Sequence, residues 1–289
     1  MSIKHLTDDL TQGGTIEVPL RESIRERVEA YMAGGLDQPA KPKFAATVML
    51  LRDLDENLNF EVFMMRRAAT MAFIPDAVVF PGGGVDDLDW QDPAPWAGPG
   101  ASEWADLMEC DEQTARSVIT AAVREMFEEC GVLLAGYPDE NDACDAHGFS
   151  WIDERRKIAS REMSFAQFLR ERGFVLRSDL LSLRAHWITP QFEPKRYDTY
   201  FFAARLPRGQ VADSRSSEAS AAAWVTPYEI LERFKKKEVL LVPPTIANIS
   251  ALSCAKTIEE VFSMEPMSRV MLQPIRTKNG DLVLRGELS

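Results

Sequence analysis

Apolar positions along this chain follow two periods, and the switches between them outline the elements. Leu20, Ile24, Val28, Tyr31 and Met32 recur at helical spacing behind Pro19, and Gly34-Gly35 ends the pattern, which predicts a polar tail followed by one helix. Apolar and β-branched runs at 44–51 and 60–65 flank the turn-like stretch 53–59 and predict a strand pair. Ala77-Val78-Val79-Phe80 predicts a short buried strand that stops at Pro81-Gly82-Gly83-Gly84. Glycines in that number after a strand call for unusual backbone angles or the close approach of another group. Residues 88–111 differ in kind: Trp90, Pro93, Pro95, Trp96, Gly98, Pro99, Gly100 and Trp104 stand among acids. They read as an insertion on the surface rather than a core element; stacking of its tryptophans on a nucleobase is one reading, and packing of the insertion against the body is the favoured one.

From about Glu112 to Leu134 the period becomes helical, with Ile119, Ala122, Met126, Cys130 and Leu133 on one stripe. Further helices are expected at 151–161 and 165–172, and strands at 182–188, 197–206 and 222–225. Thr226-Pro227 opens a helix through Lys237 with Glu229 three residues after the cap, a capping box. One more helix is expected after Val242-Pro243-Pro244 as far as about Phe262, then a hairpin turning at Asn279-Gly280 within 270–284.

Composition narrows what such a chain can do. Its 289 residues carry 45 acids against 33 bases, a formal charge of −12, which argues against a protein that coats long nucleic acid or a polybasic membrane binder. Cys110, Cys130, Cys144 and Cys254 show no CxxC spacing and stand apart from His5, His147 and His186, so neither a zinc site nor a disulfide framework is expected. The acidic start lacks an apolar targeting core, no window approaches eighteen uninterrupted apolar residues, and the final Glu-Leu-Ser does not match a peroxisomal tripeptide. A cytoplasmic, reducing setting is the expectation.

The chemistry concentrates in Arg124-Glu125-Met126-Phe127-Glu128-Glu129-Cys130-Gly131-Val132. On a helix, Glu125, Glu128 and Glu129 fall within about a third of the circumference, roughly opposite the apolar stripe. Carboxylates so spaced repel, and a hard divalent cation such as Mg²⁺ or Mn²⁺ removes the penalty while attracting phosphate oxygens. The competing reading is a solvated face with an Arg124–Glu128 pair one turn apart. The upstream Phe-Pro-Gly-Gly and the helix-ending Gly131 tip the balance toward a metal and phosphate site.

These residues resemble the box of the Nudix hydrolases: a glycine, five residues, a glutamate, seven residues, then Arg-Glu-apolar-x-Glu-Glu-x-Gly-apolar. Arg124 to Val132 match the second part in full, and Gly83 fits the opening glycine. Counting forward from Gly83 puts the box acid at Asp89, whereas counting back from Arg124 puts it at position 116, an offset of 27 residues that measures an insertion inside the box. Asp86, Asp87 or Asp89 then inherits the family glutamate's part, pairing with Arg124 to tie loop to helix. An interrupted box, together with the run from Phe73 to Asp86, is similar to the peroxisomal coenzyme A diphosphatase branch. The general coenzyme A signature is only partly present, since Arg67-Ala68 fits its start but Ala72 and Asp76 replace its second arginine and its glycine.

The resemblance implies an α+β fold, an α/β/α sandwich about a mixed sheet, with the catalytic domain at 43–245 including the insertion at about 88–115. Residues 1–42 then form an N-terminal tail and helix, and 246–289 a C-terminal helix and hairpin of the same domain, candidates for a homodimer surface or a lid. It implies hydrolysis of a pyrophosphate linkage, with Mg²⁺ or Mn²⁺ held by Glu125 and Glu129, Glu128 as further ligand or base, and the Gly82 carbonyl completing the set. Arg124 organises the carboxylates, Glu218 is a second candidate base from a later loop, and Gly83, Arg67 and Arg196 are candidates for contact with substrate. Lys195 is a less directional charge beside Arg196. The expected partner is a small nucleoside diphosphate derivative, with coenzyme A or its thioesters leading. A dinucleotide or nucleotide sugar is the alternative, and a Nudix-fold ligand-binding regulator without turnover is the third reading.

Overall fold

Strict alternation along one strand divides the molecule in two. In β3 (Lys43–Asp53), Ala46, Val48 and Leu50 point into one hydrophobic core while Met49 and Leu51 point into another. Its parallel neighbour β11 (Tyr197–Arg205) does the same, with Tyr200, Phe202 and Ala204 on the first side and Phe201 and Ala203 on the second. Side chains of successive strand residues leave opposite faces, so a sheet apolar on both faces must be covered on both. The structure, a computed structural model, describes residues 11–12, 14–35, 38–54, 60–68, 76–140, 143–144, 151–213 and 219–288.

The central sheet is mixed. Its order is β12 (Ala219–Val225), β4 (Phe60–Arg67), β3, β11, β10 (Leu181–Ile188) and β13 (Met267–Val270), with β5 (Val78–Val79) on β4 and β6 (Gly82–Gly84) on β3. The pairs β3–β11 and β10–β13 are parallel, whereas β3–β4, β4–β12 and β10–β11 are antiparallel. One face carries α4 (Glu112–Cys130); the other carries α8 (Pro243–Leu252) and α9 (Ile258–Ser263). This is the expected α/β/α sandwich.

Several local expectations need correction. Pro19 does not open a helix: it closes β2 (Thr15–Pro19), and the helix α1 covers only Arg25–Met32. Strand β2 pairs with β15 (Leu282–Glu287), which forms a hairpin with β14 (Gln273–Arg276), so the two terminal segments meet in one antiparallel sheet. The single C-terminal helix is two, because the Thr257 side chain accepts from Glu260 N at 3.0 Å and starts α9 afresh.

The insertion is the largest departure. It folds as α2 (Asp87–Gln91), the short strand β7 (Trp96–Ala97) and α3 (Ala101–Met108). Ala94, Trp104, Ala105 and Met108 belong to the first core, and Trp104 meets Phe202 edge to face at 5.9 Å. The tryptophan does pack against the body, but the segment is a core element and not surface. Among the described residues no helix is long and apolar enough to cross a membrane.

Candidate active site

Helix α4 is positioned at both ends. The Asp111 side chain accepts from Thr114 N at 2.9 Å as N-cap, and Gly131, at φ 70°, takes the left-handed conformation that stops the helix at Cys130. The stripe of Ile119, Ala122, Met126 and Cys130 is fully buried, which aims the opposite side at the loop before it.

That side is not a solvated face. Arg124 is 8% exposed and donates to four groups. Nε and Nη2 grip Asp89 at 2.9–3.2 Å, Nη2 also reaches the Gly84 carbonyl at 2.9 Å, and Nη1 holds Glu125 Oε1 at 2.8 Å and Glu128 Oε1 at 3.0 Å. Of the three aspartates offered by the sequence, the one at the box position is the partner. Asp89 also accepts from Asp86 N at 2.8 Å, while the Asp86 side chain accepts from Leu88 N at 3.0 Å, the reciprocal capping of α2. The short helix of the insertion thus supplies the acid that the interrupted box lacks.

The electrostatics follow from burial and pairing. Burial works against the charge on Arg124, yet Glu125 and Asp89 outweigh it and hold the guanidinium well above its ordinary value. Burial pushes the carboxyls of Asp89 and Glu128 up despite the opposing pull of Arg124. A group so placed is closer to taking a proton near neutral pH than an exposed glutamate.

The glycines make this packing possible. Gly82 N donates to Glu129 Oε2 at 2.7 Å, and a Cβ on Gly82, at φ 154°, would lie 2.3 Å from the Ala46 carbonyl oxygen. A Cβ on Gly83 would sit 2.4 Å from Glu125 Oε1. Backbone and carboxylates are therefore in direct contact where a side chain would separate them.

The carboxylates of Asp89, Glu125 and Glu128, with Arg124, border a cleft of about 370 Å³. Asp86, Gly84 and Phe165 continue the wall, and Lys43, Arg161, Lys195 and Tyr197 stand around it. Among the described residues no three His, Cys, Asp or Glu side chains are spaced to hold an ion by themselves, since Arg124 stands among the carboxylates. The donor set nonetheless fits magnesium or manganese: hard oxygens in excess of positive charge, with room in the cleft for waters and phosphate oxygens to fill a shell.

The other expected residues fare differently. Arg196 is 8% exposed and its guanidinium is spent on the Thr189 and Ala40 carbonyls at 2.9 and 2.8 Å, so it is a fold residue and not a cleft residue. Its neighbour Lys195, in the bend just before β11, lines the cleft instead. Arg67 ends β4 and is not among the described residues that line the cleft; Glu218 lies outside the described residues. His186 stacks on Tyr200 at 4.0 Å and pairs with Asp198, a packed histidine.

Two arginines had no signal in periodicity. Arg161, at φ 61°, pairs with Asp86 across the mouth of the cleft. Arg155 on α5 (Ile152–Ala159) donates twice to the Glu128 carbonyl, at 3.2 and 3.0 Å, and once to Asp213 at 2.8 Å, while Asp213 N donates to the Cys130 carbonyl at 2.9 Å. Arg155 therefore satisfies the Glu128 carbonyl and Asp213 N the Cys130 carbonyl, both left open by the end of α4.

A two-faced mixed sheet, a glycine loop in contact with an Arg-Glu-Glu-Glu helix and a cleft between them define a class, and the comparisons agree with it. The chain is similar to a crystal structure of a NUDIX hydrolase from Alicyclobacillus acidocaldarius, with 27% identity and a TM-score of 0.65 over 78% of this chain and 98% of that one. These likenesses support a Nudix hydrolase. More narrowly, residues 111–252 match the family model described as the NUDT19 Nudix domain, a match that starts at the cap of α4, after the insertion. Two relatives carry the name acyl-coenzyme A diphosphatase NUDT19. That of Gallus gallus is 30% identical over 67% of this chain, and that of Xenopus laevis 25% identical over 70%. The matches span 61% and 62% of those relatives' own lengths, so less than two thirds of each is represented.

Proposed function

We propose that the protein hydrolyses the diphosphate linkage of coenzyme A or an acyl-coenzyme A. The observation that carries this reading is the set of carboxylates held around Arg124 and against a glycine loop at one wall of an open cleft with cations at its mouth. The names of the two relatives support the choice of substrate. A dinucleotide or a nucleotide sugar is the runner-up substrate class, since the same carboxylates serve any nucleoside diphosphate derivative.

Glu125 and Glu129 would hold the divalent ion, with Glu128 and the Gly82 carbonyl as further oxygens. Mg²⁺ or Mn²⁺ bound there would supply positive charge for the non-bridging oxygens and for acidifying water. Arg124 keeps the carboxylates apart and oriented, and its pairing with Asp89 fixes the loop against the helix. Glu128, its carboxyl already raised, takes the proton of the water whose oxygen bonds to phosphorus as the bridging P–O bond breaks. Glu218 is the alternative base. The leaving half departs as a phosphate monoester, so coenzyme A gives 3′-phosphoadenosine 5′-phosphate and phosphopantetheine.

Turnover of coenzyme A, a dinucleotide and a nucleotide sugar with Mg²⁺ and with Mn²⁺ tests the proposal by product analysis. We expect Glu125→Gln and Glu129→Gln to lose at least about a hundredfold in kcat, with each variant still unfolding in a single cooperative transition. Parent-level rates in both variants would overturn the metal assignment. A ligand bound in the presence of metal and never cleaved would favour the regulatory reading.

A further inference from the structure

The cleft has two electrostatic sides, and the proposed chemistry uses only one. Its acidic wall is Asp86, Asp89, Glu125 and Glu128. The cations at its mouth are Lys43, Arg161 and Lys195. Arg161 is matched by Asp86, whereas Lys43 and Lys195 are exposed and neither makes an ion pair among the described residues. Lys195 rests its ammonium over the Tyr197 ring at 5.5 Å.

Topology places the two lysines side by side. Lys43 begins β3 opposite Tyr197 at the start of β11, and Lys43 N donates to the Arg196 carbonyl at 2.9 Å, directly after Lys195. Two residues along β3, Ala45 pairs with Gly84, whose carbonyl receives Arg124. At the usual strand rise of about 3.3 Å per residue, the Lys43 backbone lies about 7 Å along the strand from the level of the box arginine. The lysines thus stand near the reacting centre but displaced from it, one at the start of β3 and the other just before β11, and both line the cleft.

We infer that Lys43 and Lys195 form an anion subsite at the mouth of the cleft that binds a terminal phosphate monoester of the substrate, distinct from the diphosphate that is cleaved. This deepens the diphosphatase reading and rests on it for the reaction, but the binding it asserts does not require turnover. Two neighbouring ammonium groups with no ion-pair partner among the described residues repel each other, an anion bound between them removes that repulsion, and two point charges suit a freely rotating phosphate monoester. A substrate with such a group gains affinity here; one that ends in a bare sugar hydroxyl does not. The subsite would therefore select coenzyme A over its dephosphorylated form.

The test compares ligands that differ by that one group. Titration calorimetry without metal should find adenosine 3′,5′-bisphosphate bound at least about tenfold more tightly than AMP by the parent, and the difference abolished in the double variant K43Q/K195Q. In turnover with Mg²⁺, the ratio of kcat/KM for coenzyme A to that for dephospho-coenzyme A should fall by a similar factor in the double variant. K41Q, which removes an exposed lysine outside the cleft, should leave both comparisons at the parent value. The inference is overturned if the double variant weakens both nucleotides equally, if it changes neither, or if K41Q has the same effect. Failure to hydrolyse either coenzyme would sink the diphosphatase reading alone, and the calorimetric comparison would still decide the subsite.

Discussion

Two adjacent glycines separate stability from activity at the level of single residues. A methyl group on Gly82 would meet backbone, the Ala46 carbonyl at 2.3 Å and Thr47 Cα at 2.7 Å, and neither can step aside. Gly82→Ala is therefore expected to cost about 2–4 kcal/mol or to prevent folding, read from denaturant unfolding. A methyl group on Gly83 would first meet the Glu125 carboxyl group, at 2.4–2.8 Å, which is the far end of a side chain and can shift. Gly83→Ala should keep its melting temperature within a few degrees and lose at least about tenfold in kcat, because the displaced carboxylate is one of the proposed ligands. Equal activity in Gly83→Ala and the parent would show that the Glu125 position is not critical. The sequence marked these glycines as special but not the difference between them, since both pair with β3 and only the folded chain puts β3 backbone against one and the Glu125 side chain of α4 against the other.

Helix α4 illustrates what an element can and cannot announce about itself. Its apolar stripe and its acidic side were legible because both arise from residues three and four apart. Its supports were not, since they come from outside the helix and follow no period: Asp89 through the inserted helix α2, α3 folded back against its flank, and Arg155 at its end. Trp104→Ala in α3 should cost about 3–5 kcal/mol in a chemical unfolding experiment, the penalty for emptying a buried indole site; a loss under about 1 kcal/mol would restore the surface reading of the insertion. Arg155→Ala should lower both stability, by about 3 kcal/mol at most, and kcat, because the Glu128 carbonyl and Asp213 lose a shared partner. Arg155→Lys should restore part of the stability but not two bonds to one carbonyl, so a full rescue of kcat by lysine would argue against a positioning role.

At the scale of the whole molecule, the two ends of the chain are joined through β2 and β15, and Ile16 of β2 is fully buried under the second core with Leu272, Leu282 and Leu284. Ile16→Ala should lower a single thermal transition, with a cost of about 2–5 kcal/mol, and not split it into two; a separate early transition would mean that the terminal sheet melts independently. The acidic balance of the chain keeps its meaning at this scale, because the acids at the cleft are concentrated on one wall while cations stand at its mouth. By itself the sequence determined the periods, the box helix and its carboxylates, the family resemblance and the existence of an insertion, all of which are local patterns or fixed spacings. Only the tertiary structure decided that Asp89 is the partner of Arg124, that Lys195 and not Arg196 faces the cleft, and that the insertion is core. Those outcomes depend on strand register and on contacts between residues tens to hundreds of positions apart, and a chain records such contacts in three dimensions rather than in its spacing.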